Sequence, residues 1–283
     1  PYFRLLRIKP GSPDDVIQCI LESRPMYEGL SSYKALSYSW GDEPFSETIY
    51  IGRNSLQFSV SPHVAAALRH LRDPCRAVHV WIDAICINQG DLLEKSQQLS
   101  IMASIYNQAE QVVIWLGGNG DSNNQSLEDE EVIWSMCQQS HAWWNRLWVV
   151  QECVYAERCP VVMLGDHTMS LDSWIQTWTA SYRSWRTRDG DSLNRTKILQ
   201  DNLVFLRMPY DAWKTHTEDN IQRLPLLLRL RQTAERQCKV PHDRIYAILS
   251  IVDHREARWI PPDYRKSYST LRTEVNKILR SSP

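Results

Sequence analysis

The chain has 283 residues, and its 32 basic and 33 acidic side chains leave a formal net charge of −1. This length suits one large domain or two small ones, and it supports a core that needs neither a metal nor a disulfide. The balanced charge removes the electrostatic basis for binding nucleic acid. No apolar run approaches the roughly 20 residues of a membrane helix, and nothing at Pro1 resembles a signal peptide, so we expect a soluble chain with no membrane contact.

Cysteine usage indicates the compartment. The seven cysteines are scattered and include no C-x-x-C pair, which predicts free thiols in a reducing compartment and a cytoplasmic protein. Cys75 and His79 have a spacing typical of zinc ligands, but no second pair completes them, so the sequence predicts no metal site. Glycine-rich loops of the dinucleotide or triphosphate type are also absent from the sequence.

The first part of the chain alternates predicted strands and helices. Ser61 and Pro62 predict a helix start, as N-cap and first helical residue, and Pro74 marks its end. Strands are predicted at 33–38, 47–51, 55–60, 77–83, 111–116 and 160–164, and further helices at 91–109 and 145–157. This order favours an α/β fold with a mostly parallel sheet flanked by helices.

From Leu171 onward the pattern becomes helical. Helices are predicted at 171–180, 195–206, 224–237, 243–252 and 267–280. We therefore expect an α/β core over residues 1–170 and a mainly helical addition over residues 171–283 that packs on it.

Polar residues end the first predicted strand of the α/β pattern. Ser37, Tyr38, Trp40 and Asp42 stand there, and ligands of parallel α/β sheets collect beyond the carboxyl ends of strands. The alternative is an ordinary loop in which Asp42 is a turn residue.

A second candidate group lies around Asp83. This carboxylate ends an apolar strand, where it is either a helix cap or a site residue. Cys86 follows between Ile85 and Ile87, and such an apolar setting raises the pKa of a thiol, which favours a packed and inert cysteine.

The third group is a helical face. Trp148, Glu152 and Tyr155 are four and three residues apart, so they share one side of a helix whose other residues are largely apolar. A buried Glu152 must find partners or shift its pKa upward. It is therefore either a catalytic acid or a structural one paired with Arg146 or a more distant arginine.

Several of these stretches resemble the HET (heterokaryon incompatibility) domain family of filamentous fungi. Its opening signature is similar to Tyr33-x-Ala35-Leu36-Ser37-Tyr38-x-Trp40-Gly41-Asp42, and its central one to residues 81–89 with the helix that follows. Arg146-x-Trp148-Val149-Val150-Gln151-Glu152 resembles the third signature, and Asp243-Arg244-x-Tyr246-Ala247 and Pro262-Asp263-Tyr264 extend the likeness. Lys95 departs from the arginine usual in the family.

The resemblance implies a function. HET domains act in non-self recognition and trigger programmed cell death, and they are thought to be distant relatives of TIR domains, which have a flavodoxin-like parallel sheet. The spacing of Trp148 and Glu152 looks like that of TIR enzymes that cleave NAD at the nicotinamide–ribose bond. It implies an NAD glycohydrolase with Glu152 as the catalytic residue and NAD as a substrate, with no further cofactor.

In this reading Ser37, Tyr38, Trp40, Asp83 and Trp148 are the candidate substrate-binding residues. The indoles would stack on the pyridinium ring, and Asp83 would bind a ribose hydroxyl. The implied partners are NAD or a related nucleotide, further copies of the chain, and an upstream recognition protein. Two alternatives remain: a non-enzymatic TIR-like signalling module that oligomerises, and a regulator that binds the nucleotide without cleaving it.

Overall fold

The computed structural model describes residues 1–26, 32–118, 142–185, 210 and 223–281. Within these residues nine strands form one sheet, in the order β5-β4-β2-β1-β6-β3-β7-β8-β9. The strands are β1 (Tyr2–Ile8), β2 (Gln18–Pro25), β3 (Lys34–Tyr38), β4 (Glu47–Ile51), β5 (Leu56–Val60), β6 (Val78–Trp81), β7 (Gln111–Gly117), β8 (Val161–Leu164) and β9 (His167–Ser170). The predicted α/β class is confirmed.

Parallel pairing is concentrated at the centre of the sheet. Strands β6, β3, β7 and β8 pair parallel with one another in that order, and β2 pairs parallel with β4, whereas β1 and β2, β1 and β6, β4 and β5, and β8 and β9 pair antiparallel. The prediction of a mostly parallel sheet is therefore only partly correct, because the sheet contains antiparallel pairs as well as parallel ones. Parallel neighbours need a long crossover, while the β4–β5 and β8–β9 connections are short turns with Gly52 and Gly165 at positive φ. The likeness to TIR and flavodoxin folds stays a prediction.

The sequence pattern missed three strands, β1, β2 and β9. Charged residues interrupt the apolar alternation of the first two, but these residues pair with one another across the strands. Glu22 on β2 accepts from Arg7 on β1 and from Arg24 on its own strand, each at 2.7 Å. Facing charges can therefore line a strand pair whose other side is buried.

Three of the four helices described in the first half lie where the sequence predicts them, and the short helix Asp83–Cys86 was not predicted. The four are α1 (Pro62–Leu71), α2 (Asp83–Cys86), α3 (Leu92–Gln108) and α4 (Val149–Val154). The Ser61 hydroxyl accepts from the Val64 amide at 3.3 Å, which confirms the predicted cap. The largest boundary differences from the prediction are that β6 ends at Trp81, so that Asp83 opens α2, and that α4 is shorter than the predicted 145–157.

The described C-terminal part is mainly helical. Its helices are α5 (Leu171–Trp185), α6 (Leu226–Gln232), α7 (Asp243–Tyr246), α8 (His254–Ala257) and α9 (Tyr268–Ser281), with a 3-10 turn at Leu249–Ile251. The helix predicted at 195–206 lies outside the described residues. Within the described part of the chain, no helix has the length and apolarity that crossing a bilayer requires.

Helix α4 lies where the sheet meets the C-terminal helices. Its residues Val150 and Val154 share a buried apolar cluster with Ile248 and Leu271 of the C-terminal part. Its backbone is also tied to that part, since the Leu147 amide donates to the Gln237 carbonyl at 2.8 Å. The functional candidates on and before α4 are therefore held between the two halves of the chain.

Candidate functional site

Glu152 lies in the middle of α4 and is only 1% exposed. Its Oε2 atom accepts a hydrogen bond from the hydroxyl of Ser37, near the carboxyl end of β3. The Trp143 indole donates to the same Ser37 oxygen at 2.8 Å. Because the hydroxyl proton is used by Glu152 and a lone pair by Trp143, the orientation of Ser37 is fixed.

Arg146 is the charged partner of Glu152. Its Nη2 atom lies 3.4 Å from Glu152 Oε1, and its Nη1 atom donates to the backbone carbonyl of Tyr38. The guanidinium carbon is 5.9 Å from the centre of the Tyr38 ring. Arg146 therefore connects the end of β3 to α4.

These surroundings bring Glu152 near its titration point at neutral pH. Burial raises the pKa of Glu152 from 4.5 to about 7, although the charge of Arg146 and the hydrogen bond from Ser37 act to lower it. Burial acts to lower the pKa of Arg146, but the charges of Glu152 and Asp83 outweigh it and hold this pKa above its usual value. A carboxyl group that titrates near pH 7 beside a permanent cation has the properties of an acid–base group.

Asp83 is held by Trp40 and by its own helix. The Trp40 indole donates to Asp83 Oδ2 at 2.8 Å, and the Ala84 amide donates to Oδ1 at 2.8 Å. Tyr38 is fully buried nearby, and its pKa lies well above its usual value because of burial and of the charge of Asp83. Trp40 and Asp83 themselves are half-buried, so both remain accessible to a ligand.

A cavity of about 520 Å³ opens at these residues, a volume typical of small-molecule sites. Among the predicted site residues, Trp40, Asp83 and Trp148 line it, and Arg146 lines it as well. Ser37, Tyr38 and Glu152 do not line it; Glu152 and the Tyr38 carbonyl contact Arg146, and Ser37 contacts Glu152. The candidates thus form two layers, with Arg146 between Glu152 and the cavity.

A second carboxyl group stands in the wall of this cavity. Asp243 is 7% exposed and accepts hydrogen bonds from the Tyr264 hydroxyl and the Trp148 indole. Burial raises the pKa of Asp243 despite these two bonds and the nearby positive charge of Lys95. The Lys95 ammonium also lies 4.7 Å from the centre of the Tyr264 ring. Trp148 is therefore anchored to Asp243 as Trp40 is anchored to Asp83.

Comparisons with known proteins agree with this arrangement of motifs. A family model described as heterokaryon incompatibility protein (HET) matches residues 33–137. A curated relative, heterokaryon incompatibility protein 6, OR allele, of Neurospora crassa, is 36% identical over 139 residues. The chain is therefore similar to the HET family over residues 33–137.

The match is limited in extent. The alignment covers 45% of this chain and 20% of the relative, so the chain spans about a fifth of the length of the curated relative it matches. The part matched by the family model contains Ser37, Tyr38, Trp40 and Asp83, whereas Trp148 and Glu152 lie beyond it. No solved structure matches the chain at a significant level.

Several residues of this cavity were not among the sequence candidates. Arg146 was considered only as a possible partner of Glu152, and Asp243 and Tyr264 only as parts of family-like motifs. All three residues stand in family-like motifs, and this was the signal in the sequence that could have identified them as cavity residues. Cys86 is 1% exposed and burial raises its pKa to about 12, which agrees with the expected inert thiol.

Proposed function

We propose that this chain acts in fungal heterokaryon incompatibility, as an effector of non-self recognition and programmed cell death. We further propose that it hydrolyses NAD at the nicotinamide–ribose bond through Glu152. The observation that carries this proposal is a buried carboxyl group, with its pKa raised to about 7, one side chain away from a cavity lined by two tryptophans and an aspartate.

The chemistry follows from the charge that develops during the reaction. The bond between nicotinamide and C1′ of the ribose breaks, nicotinamide leaves with the bonding electrons as a neutral molecule, and the ribose becomes oxocarbenium-like. A nearby carboxylate stabilises this cation, and water then adds to C1′ and releases a proton. The products are nicotinamide, ADP-ribose and that proton.

The cavity wall supplies groups suited to this substrate. Trp40 and Trp148 offer aromatic faces for the cationic pyridinium, and each indole N–H is already bonded to a carboxylate. Asp83 is positioned to accept hydrogen bonds from ribose hydroxyls. Ser37 and Tyr38 do not line this cavity, so in this proposal they orient Glu152 and Arg146.

Arg146 has to move for this reaction. While its guanidinium stays 3.4 Å from Glu152, it neutralises the carboxylate and separates it from the cavity. We propose that the Arg146 side chain turns toward the cavity when NAD binds, where the diphosphate offers a competing anionic partner.

The test is nicotinamide release from NAD by the purified chain, measured by chromatography both for the free chain and for the chain fused to an oligomeric scaffold. Glu152→Gln preserves the shape but removes the charge, and we expect it to lower turnover at least a hundredfold, roughly the effect of removing one electrostatic transition-state group. The control is Glu157→Gln, at an exposed position five residues later. Retained turnover in Glu152→Gln, or no release by either wild-type form, would overturn the proposal.

One observation favours a second candidate function. Glu152 is fully paired beneath Arg146, which is also how a structural acid would be held. In a non-enzymatic TIR-like signalling module, which triggers death by self-association, Glu152→Gln would leave cell killing intact in a fungal viability assay. Loss of killing together with loss of nicotinamide release selects the enzyme.

A further inference from the structure

A second cavity, of about 380 Å³, lies beside the first. The two cavities share five lining residues, which are Trp40, Gly41, Asp42, Gln89 and Lys239. The segment after β3 is thus a common wall, and a single extended ligand can reach both cavities across it.

The second cavity is more apolar than the first. Phe58 and Val60 are two residues apart on β5, so their side chains lie on the same face of the strand, and both line the cavity. Phe45 lines it too. Phe45 is 64% exposed and Phe58 is 38% exposed, and two accessible phenylalanines in one concave surface are typical of a ligand site.

A cation stands where the two cavities meet. The Lys239 ammonium lies 2.9 Å from Asp42 Oδ1 and donates to the Gly41 carbonyl at 2.6 Å. The Asp42 side chain is 96% exposed, and an ion pair in that setting contributes little, so a ligand anion can replace Asp42 as the partner of Lys239.

We infer that the second cavity binds the purine base of a dinucleotide whose other half occupies the first cavity. The base stacks on Phe58, and Lys239 contacts the diphosphate that joins the two halves. Aromatic side chains bind bases through their faces, whichever base is present, and an exposed phenylalanine beside a cation suits a base followed by a phosphate. This inference rests on the proposed function, and it defines the substrate as a dinucleotide.

The first test compares NAD with nicotinamide mononucleotide, which lacks the purine half, as substrates of the full chain. We expect Phe58→Ser to raise KM for NAD about tenfold, the size of one lost stacking contact, with kcat and the cleavage of the mononucleotide unchanged. Phe58→Tyr keeps the aromatic face and should restore KM. Leu56→Ser is the matched control, since it is also exposed on β5, two residues from Phe58, and does not line the cavity.

A binding measurement separates this inference from the proposed hydrolysis. Titration calorimetry with AMP should show binding by the wild-type chain, about tenfold weaker binding by Phe58→Ser, and no change for Leu56→Ser. If wild type cleaves NAD and the mononucleotide equally well and Phe58→Ser changes neither KM nor AMP binding, the second cavity is not a base site while the hydrolase proposal stands. If AMP binds as expected but nicotinamide is never released, the hydrolase proposal fails instead.

Discussion

Glu152 and Asp243 are two buried acids whose pKa values are both raised by burial, yet their surroundings differ. Glu152 is paired with the guanidinium of Arg146 and lies beneath the cavity wall. Asp243 belongs to the wall and is held by two neutral donors, Trp148 and Tyr264. Burial alone therefore does not tell the roles of these carboxyl groups apart.

The two acids differ in the kind of partner that each one contacts. The charge of Glu152 is coupled to Arg146, a cation that also lines the cavity, so a ligand that contacts Arg146 would change the environment of Glu152. Asp243 fixes the ring of Trp148 in the wall, and its partners need no rearrangement to bind a ligand. The first setting suits a group that reacts, and the second suits a group that positions another.

The largest loss of stability is expected from Arg146→Ala. Removing this partner leaves the Glu152 carboxylate buried without its cation and also removes the hydrogen bond to the Tyr38 carbonyl. Loss of one member of a buried pair costs about 3–5 kcal/mol, so we expect a decrease of that size in the free energy of unfolding, measured by urea denaturation at pH 8.

The control for this substitution is Arg158→Ala, at an exposed position, which should leave the free energy of unfolding nearly unchanged. The double variant Arg146→Met with Glu152→Gln removes both charges and should recover part of the loss. If Arg146→Ala is as stable as the control, the Arg146–Glu152 pair contributes nothing to the free energy of unfolding. Glu152 would then not differ from Asp243 in depending on a charged partner.

The central fold could be predicted because its signals are local. Apolar runs such as 111–116 mark buried parallel strands, and Ser61 with Pro62 marks a helix start. Strands β1 and β2 were missed because charged residues interrupt their apolar pattern, and the pairing of these residues across the strands, such as Arg7 with Glu22, is not visible in a local pattern. The antiparallel pairs that these two strands form were therefore not predicted either.

The site could be predicted only in part. The apolar neighbours of Glu152 indicated its burial, and the family-like motifs indicated Ser37, Trp40 and Asp83. The place of Arg146 between Glu152 and the cavity could not be predicted, because it depends on the backbone pairing of residues 145–147 with Gln237. The bond from Trp148 to Asp243 likewise joins residues far apart in the chain.

A smaller effect is expected from pH. The pKa of Glu152 is about 7 in the folded chain and 4.5 as its ordinary value, so between these values the folded chain holds the proton more tightly than the unfolded one. The free energy of unfolding therefore falls as pH rises through this window. At about 1.4 kcal/mol per pKa unit, this group contributes a decrease of at most about 3.5 kcal/mol.

The measurement is urea denaturation at intervals from pH 4.5 to pH 8 for wild type and Glu152→Gln. Asp243 titrates in the same direction because its pKa is also raised, so the quantity that matters is the difference between the two curves. Wild type should lose more stability than the variant as pH rises. Parallel curves would show that Glu152 keeps its ordinary pKa, and its proposed acid–base character would be wrong.

The smallest effects come from the two tryptophan anchors. Trp148→Phe removes the donor to Asp243, which is 7% exposed, and leaves a buried acceptor short of one bond, at a cost of about 1–2 kcal/mol. Trp40→Phe removes the donor to Asp83, but that residue is half-buried and keeps the Ala84 amide, so water can replace the indole and the cost is about 0.5 kcal/mol. Urea denaturation of both variants, with Trp259→Phe at a 62% exposed position as the control, gives the order directly. If both variants lose the same free energy of unfolding, Asp83 is as shielded from water as Asp243. Asp83 would then be unable to accept hydrogen bonds from the ribose hydroxyls of a ligand.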